Sequence, residues 1–207
     1  MTVTLPIPKT STTPTNGPDL SRTYTAEELL DFPSDWHYEL INGRLREINM
    51  PTGEEHGFYT MSLSSEITMY VRAHGLGRCY AAETGFLLAR DPDIVKAPDF
   101  AFVAQGRLPE GRTRGYLPVV PDLVLETLSP SDRNTTALQK IGAWLDFGVQ
   151  MVLDLNPQVQ TLTVYRPDAP SEVLGPNGTL GEGDVLPGFA LPLSRLFDAN
   201  SGVSDPQ

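Results

Sequence analysis

Two carboxylates occupy positions where a carboxylate is costly. Asp99 follows Pro98 inside the apolar run IVKAPDFAFV, and Glu126 stands between Leu125 and Thr127 in VVPDLVLETLSPSDR. An ionised carboxylate removed from water needs a cation, a proton or a basic side chain beside it. Lys140 follows on the next predicted helix, three residues from Ala137 and four from Trp144, so its stem can lie on apolar surface while its ammonium reaches toward the end of the Glu126 strand. Each residue alone has a plainer account. Pro-Asp pairs open turns, a buried glutamate can pair with an arginine or lysine, and a lysine can simply snorkel into water.

Taken together, two acids on neighbouring strands and a lysine supply what phosphodiester hydrolysis requires. The acids offer oxygen ligands for a hard cation such as magnesium, with manganese as a substitute, and the lysine places positive charge near the attacking water and the developing phosphorane. In this scheme Asp99 and Glu126 hold the ion, the main-chain carbonyl of Thr127 is a further candidate ligand, and Lys140 orients or deprotonates the nucleophile or, if it stays charged, stabilises the transition state. Glu39, between Tyr38 and Leu40, joins this cluster or faces water. His56, beside Glu54 and Glu55 at a helix start, either bonds a nearby acid or serves the site. His37 and His74 are solitary, which argues against zinc. Cys79 reads as a small strand hydrophobe, Ser129 lacks the glycine frame of a nucleophile elbow, and neither GLGRCYAAETGF nor any GxxxxGK[ST] supplies a phosphate cradle.

The elements that must position these residues are legible in part. TAEE at Thr25 to Glu28 is a capping box, with Tyr24 and Leu29 as a hydrophobic staple, opening a short helix to about Asp31. Trp36 to Ile41 and Arg44 to Ile48 flank Asn42-Gly43 and predict a tight hairpin. Tyr59, Leu63, Ile67, Tyr70 and Val71 predict a helix from His56 to about Ala73 that stops at Gly75. Strands are predicted at 78–88, 95–103 and 123–128, with Pro98 and Pro121 confined to a bulge, edge or strand start. SPSDRNT reads as a turn, Thr136 to Phe147 as a helix with Leu138, Ile141 and Leu145 on one face, and VQMVLDL as a buried strand. Strand, helix, strand predicts a parallel crossover, and Val159 to Arg166 an antiparallel addition. The expected class is therefore α/β with a mixed sheet.

The 207 residues, 40% of them hydrophobic, suffice for one core. One domain is expected over residues 23–199, between polar tails at 1–22 and 200–207. No secretion signal and no membrane-length apolar run is present, so a cytoplasmic protein without membrane contact is expected. A net charge of -11 argues against a protein that coats nucleic acid non-specifically. A local exception is QGRLPEGRTRG, where Arg107, Arg112 and Arg114 face only Glu110 in sequence. That loop touches a phosphate backbone or is simply solvated.

Five segments in order, YELINGRLREI, EEHGFYTMSLSSEI, GFLLARDPDIVKAPDFAFV, PDLVLETLSPSDR and KIGAWLDFGVQMVLDLNP, resemble the Uma2 family of restriction-endonuclease type, over about Tyr24 to Phe197. The resemblance implies a PD-(D/E)xK nuclease core, a mixed sheet with flanking helices and an N-terminal β-hairpin. It also implies Asp99 and Glu126 as magnesium ligands and Glu39 as the acid of the first motif. The ordinary pattern places a lysine two positions after the second acid, where this chain has Leu128. In related families that lysine lies on the following helix, where Lys140 fits. Two readings follow: a magnesium-dependent endonuclease acting on DNA, or a non-catalytic nucleic-acid-binding or protein-interaction module whose acids are paired internally. A homodimer suits either.

Overall fold

The computed structural model describes residues 17–48, 52–129, 134–181, 183 and 185–198. The chain runs through α1 (Ala26–Leu30), β1 (Tyr38–Ile41), β2 (Arg44–Glu47), α2 (Glu54–His74), β3 (Gly77–Ala81), β4 (Phe86–Ala89), β5 (Ile94–Lys96) and β6 (Phe100–Ala104). It continues through β7 (Leu123–Thr127), α3 (Asn134–Asp146), β8 (Met151–Asn156), β9 (Thr161–Tyr165), β10 (Glu172–Leu174), β11 (Thr179–Leu180), β12 (Leu191–Pro192) and α4 (Ser194–Phe197). Six strands form the main sheet in the order β10-β9-β8-β7-β6-β3, and four form a smaller one, β2-β1-β5-β4. Among the described residues, β7 and β8 are the one parallel pair of the main sheet, joined through α3 as the strand-helix-strand pattern predicts; its other pairs are antiparallel. The fold is thus α/β with mixed sheets.

Local chemistry accounts for the element ends. The Thr25 hydroxyl accepts from Glu28 N–H while the Glu28 carboxylate accepts from Thr25 N–H, completing the capping box. Asn42 and Gly43 both take positive φ, 53° and 72°, as the tight hairpin turn demands. Gly75 ends α2 in the left-handed conformation, and its N–H returns to the helix's last carbonyls. Among the described residues, no helix is long and apolar enough to cross a membrane.

The two-residue period of β7 sorts its side chains between the helices. Leu123 and Leu125 face the core that contains Leu63, Ile67 and Val71 of α2, whereas Val124 lies with Ile141 and Trp144 of α3. Glu126 therefore stands on the α3 side, and Thr127 on the α2 side.

Three expectations need correction. The strand predicted at 78–88 is two strands in different sheets, broken at a turn where Glu83 takes a φ of 67°. The strand predicted at 95–103 is also two, separated at Ala97–Asp99, because Pro98 has no N–H to donate to a ladder. The buried face of α3 is Ala137, Ile141 and Trp144; Leu138 is 55% exposed. The apolar spacing fits either stripe, and the larger tryptophan takes the interior. The turn predicted at SPSDRNT falls largely on Pro130–Arg133, and most of the predicted tails on 1–16 and 199–207, all outside the described residues. Within the predicted N-terminal tail, the Arg22 guanidinium lies 3.6 Å from the Tyr24 ring centroid.

The corrected face has a direct consequence for stability. Ile141→Ala is expected to lower the unfolding free energy by about 2 to 5 kcal/mol in urea titrations. Leu138→Ala should change it by less than about 0.5 kcal/mol, and the reverse ranking would contradict the observed packing.

Candidate active site

Pro98 shapes the site through what it lacks. Leu128 N–H bonds the Leu155 carbonyl on the β8 side, so the N–H and carbonyl of Thr127, one residue earlier, point toward β6. Extending the pairing Phe100↔Leu125 by two residues puts Pro98 opposite Thr127. A proline cannot donate to the Thr127 carbonyl. Asp99 meanwhile turns its carboxylate onto the strand end, where Oδ2 accepts from Thr127 N–H at 2.7 Å.

Glu126 reaches the same place from β7. Its Oε1 accepts from Trp144 Nε1 at 2.7 Å, and its Oε2 lies 3.8 Å from Lys140 Nζ. Burial pushes the Glu126 carboxyl up to about 7, and the nearby charge of Asp99 pushes in the same direction. The Lys140 ammonium, the Trp144 hydrogen bond and the Lys96 ammonium pull it partly back. Asp99 is thus near enough for its charge to disfavour ionised Glu126.

His56, in the first turn of α2, puts Nε2 3.2 Å from Asp99 Oδ2. The Thr60 hydroxyl, one turn on, is hydrogen-bonded to the Thr127 hydroxyl at 2.7 Å and to the His56 carbonyl at 2.6 Å, fixing α2 against the end of β7. The positive end of the α2 dipole therefore faces the acids. A cavity of about 10 Å³, lined by Glu126, Thr127, Lys140 and Asp154 among others, has room for roughly one water.

Glu39 joins the cluster indirectly. Its Oε1 accepts from Ala97 N–H at 3.0 Å, and its Oε2 lies 3.8 Å from Lys96 Nζ. Lys96 is 3% exposed and sits 5.0 Å from the centre of the Trp144 ring. Sequence reasoning singled out Asp99 and Glu126 but passed over Lys96. The same signal, a charge in the apolar run IVKAPDFAFV, marks it. Among the described residues His37 forms no side-chain hydrogen bond or ion pair with these groups, and His74 stacks on Tyr70.

The donor set is hard oxygen throughout: two carboxylates and the Thr127 carbonyl. Among the described residues, no group of three or more His, Cys, Asp or Glu side chains is placed to hold an ion together. Two carboxylates with water completing the shell suit magnesium, which sheds water reluctantly and is commonly bound by one or two acids. The residues present fit such an ion.

Similarity to known proteins bears on this geometry. The Uma2 family model, described as "Putative restriction endonuclease", matches residues 26–194. The chain belongs to the Uma2 family. That match contains Glu39, His56, Lys96, Asp99, Glu126 and Lys140. The crystal structure of a putative nuclease belonging to DUF820 from Anabaena variabilis ATCC 29413 is similar to this Uma2 chain at a TM-score of 0.69 and 26% identity, covering 84% of this chain and 97% of that one. No curated protein matches.

The raised Glu126 carboxyl fixes the sign of a pH effect on the metal-free protein. Below the ordinary value of 4.5 both folded and unfolded chains hold this proton; between there and about 7 the unfolded chain releases it first, so stability falls as pH rises. Glu126→Gln should remove that loss and, in urea titrations with chelator at about pH 8, exceed the wild type by an amount on the order of a few kcal/mol. An unchanged pH slope in the variant would contradict the assignment.

Proposed function

We propose that this Uma2 protein is a metal-dependent phosphodiester hydrolase, a DNA endonuclease of the PD-(D/E)xK type. The observation that carries the reading is the meeting of Asp99, Glu126 and Lys140 at the end of β7. Lys140 lies 3.8 Å from Glu126 although the position two residues after the acid is Leu128. The matching family is described as "Putative restriction endonuclease" and the similar Anabaena variabilis protein as a "putative nuclease", and this supports the same reading.

Asp99, Glu126 and the Thr127 carbonyl would hold magnesium, or manganese in its place, which supplies Lewis acidity toward a phosphoryl oxygen and lowers the pKa of bound water. The remaining roles belong to the chain. His56 and the Thr127 N–H fix the Asp99 carboxylate, and Trp144 fixes Glu126. Lys140, more exposed than the acids, is placed to stabilise charge on the phosphate or to orient the attacking water. Lys96 and Glu39 hold the Trp144 side of the site. Cutting both strands of a duplex needs two such centres, which we assign to a homodimer.

A second reading has its own support. Glu126 is already partnered within the protein, Oε1 by the Trp144 hydrogen bond and Oε2 by the Lys140 ion pair at 3.8 Å, as a binding module on this fold would arrange it. Plasmid nicking separates the two. Purified protein with magnesium should nick supercoiled DNA, and Asp99→Ala and Glu126→Gln should each lower the rate by about a hundredfold or more, with Lys140→Met lowering it by at least about tenfold. Folded variants that nick as fast as wild type would remove the endonuclease reading, and no nicking by any form would favour the binding module.

A further inference from the structure

The arginines of the loop between Gln105 and Gly115 have different fates. Arg107 Nη1 bonds Asp122 Oδ1 at 2.6 Å, and Asp122 Oδ2 also accepts from Ala104 N–H, so Arg107 is committed to the fold. Arg112 instead lines an open groove of about 650 Å³ together with Arg78, Tyr80, Glu83, Gly85 and Tyr116. Among the described residues neither the Arg78 nor the Arg112 side chain has a hydrogen bond or ion pair; Arg22, Arg90, Arg107, Arg166 and Arg195 pair with an acid, while Arg44, Arg46, Arg72 and Arg114 do not but lie outside this groove. In a chain with 26 acidic and 15 basic residues, this groove carries two arginines against the single acid Glu83, a local excess of positive charge that favours an anion.

The groove is firmly walled. The Tyr116 ring packs on Gly85 so closely that any Cβ there would overlap it, and Tyr80 packs edge-on against Phe86 at 5.6 Å. Its position relates it to the acids. Tyr80 pairs with Ala101, Ala101 with Val124, and Val124 shares a sheet face with Glu126. Tyr80 and Arg78 therefore stand on the Glu126 face, on the edge strand β3, two strand spacings or roughly 10 Å sideways from β7 and two and four residues along the sheet from Glu126, roughly 12 and 17 Å away in all. At about 3.4 Å per nucleotide along one strand, those separations span about four to five nucleotides. The groove's other rim, Glu83 to Gly85, follows Ala81, which pairs with Phe100 beside Asp99.

We propose that this groove binds the phosphodiester backbone of DNA flanking the bond to be cut, with Arg78 and Arg112 contacting phosphates across the rigid tyrosine walls. The inference rests on the nuclease reading for the role of the bound strand, but its binding step can be measured separately. Full-length protein is titrated in chelator against a fluorescein-labelled duplex oligonucleotide, following anisotropy at several salt concentrations. The double variant Arg78→Gln with Arg112→Gln should weaken binding about tenfold or more and reduce the slope of log K against log salt by about 1.8, the value for two lost phosphate contacts. Arg72→Gln, an exposed arginine on α2 across the sheet, should leave both quantities nearly unchanged. Both changed side chains are exposed, so the thermal midpoint should hold and report intact folding. Wild-type affinity in the double variant, or an equal loss in Arg72→Gln, would overturn the groove assignment. With magnesium, the double variant should raise KM for plasmid nicking and leave kcat unchanged. A protein that binds through these arginines yet never nicks would keep the groove and lose the nuclease reading. Nicking with a KM unaffected by the double variant would do the opposite.

Discussion

The site depends on the burial of one carboxylate. Glu126 lies on β7, flanked on both sides by strands and covered by α3, and its carboxyl is held far above its ordinary value. Burial would make that group a neutral acid, and Asp99 adds to the pressure. Opposing this are a tryptophan N–H and a lysine from α3 and a second lysine from β5. Two of these groups come from α3 and one from β5, so the main sheet, the helix and the smaller sheet must all be in place for the carboxylate to be poised between its two states. A cation between Asp99 and Glu126 would relieve the same repulsion.

The smaller sheet is part of this arrangement. Its β5 ends at Lys96, and the chain then passes through Pro98 and Asp99 directly into β6 of the main sheet. The break that Pro98 imposes sends a lysine to the Trp144 ring and an aspartate to the Thr127 N–H within four residues of chain. Glu39, from the N-terminal hairpin, closes the arrangement by accepting from Ala97 N–H and standing beside Lys96. A loss at Glu39 would therefore act through Lys96 and Trp144, at one remove from Glu126.

Much of this was legible in the sequence, for reasons that can be named. The capping box, the Asn42-Gly43 turn and Gly75 are local signals whose physics involves only a few neighbouring residues, and each appears where its motif stands. Asp99 and Glu126 stood out because charge in an apolar run is costly wherever it occurs. Sequence periodicity could not decide between Leu138 and Trp144 for the interior of α3, because that choice depends on the volume left between the helix and β7. Nor could it show that residues 78–88 and 95–103 each divide between two sheets, since strand patterning is the same in either. Lys96 was hidden in plain view: a lysine in an apolar strand can snorkel, and only the neighbouring Glu39 and Trp144 show that it does not.

If a cation exchanges for the proton on Glu126, magnesium or manganese binding near neutral pH must release that proton to solvent. Isothermal titration calorimetry with manganese, repeated in buffers of different ionisation heat, measures this directly. Saturable binding is predicted, with an apparent enthalpy that varies with the buffer near pH 7 and a buffer dependence lost in Glu126→Gln. Absence of binding, or binding with an enthalpy independent of buffer and unchanged in Glu126→Gln, would contradict it.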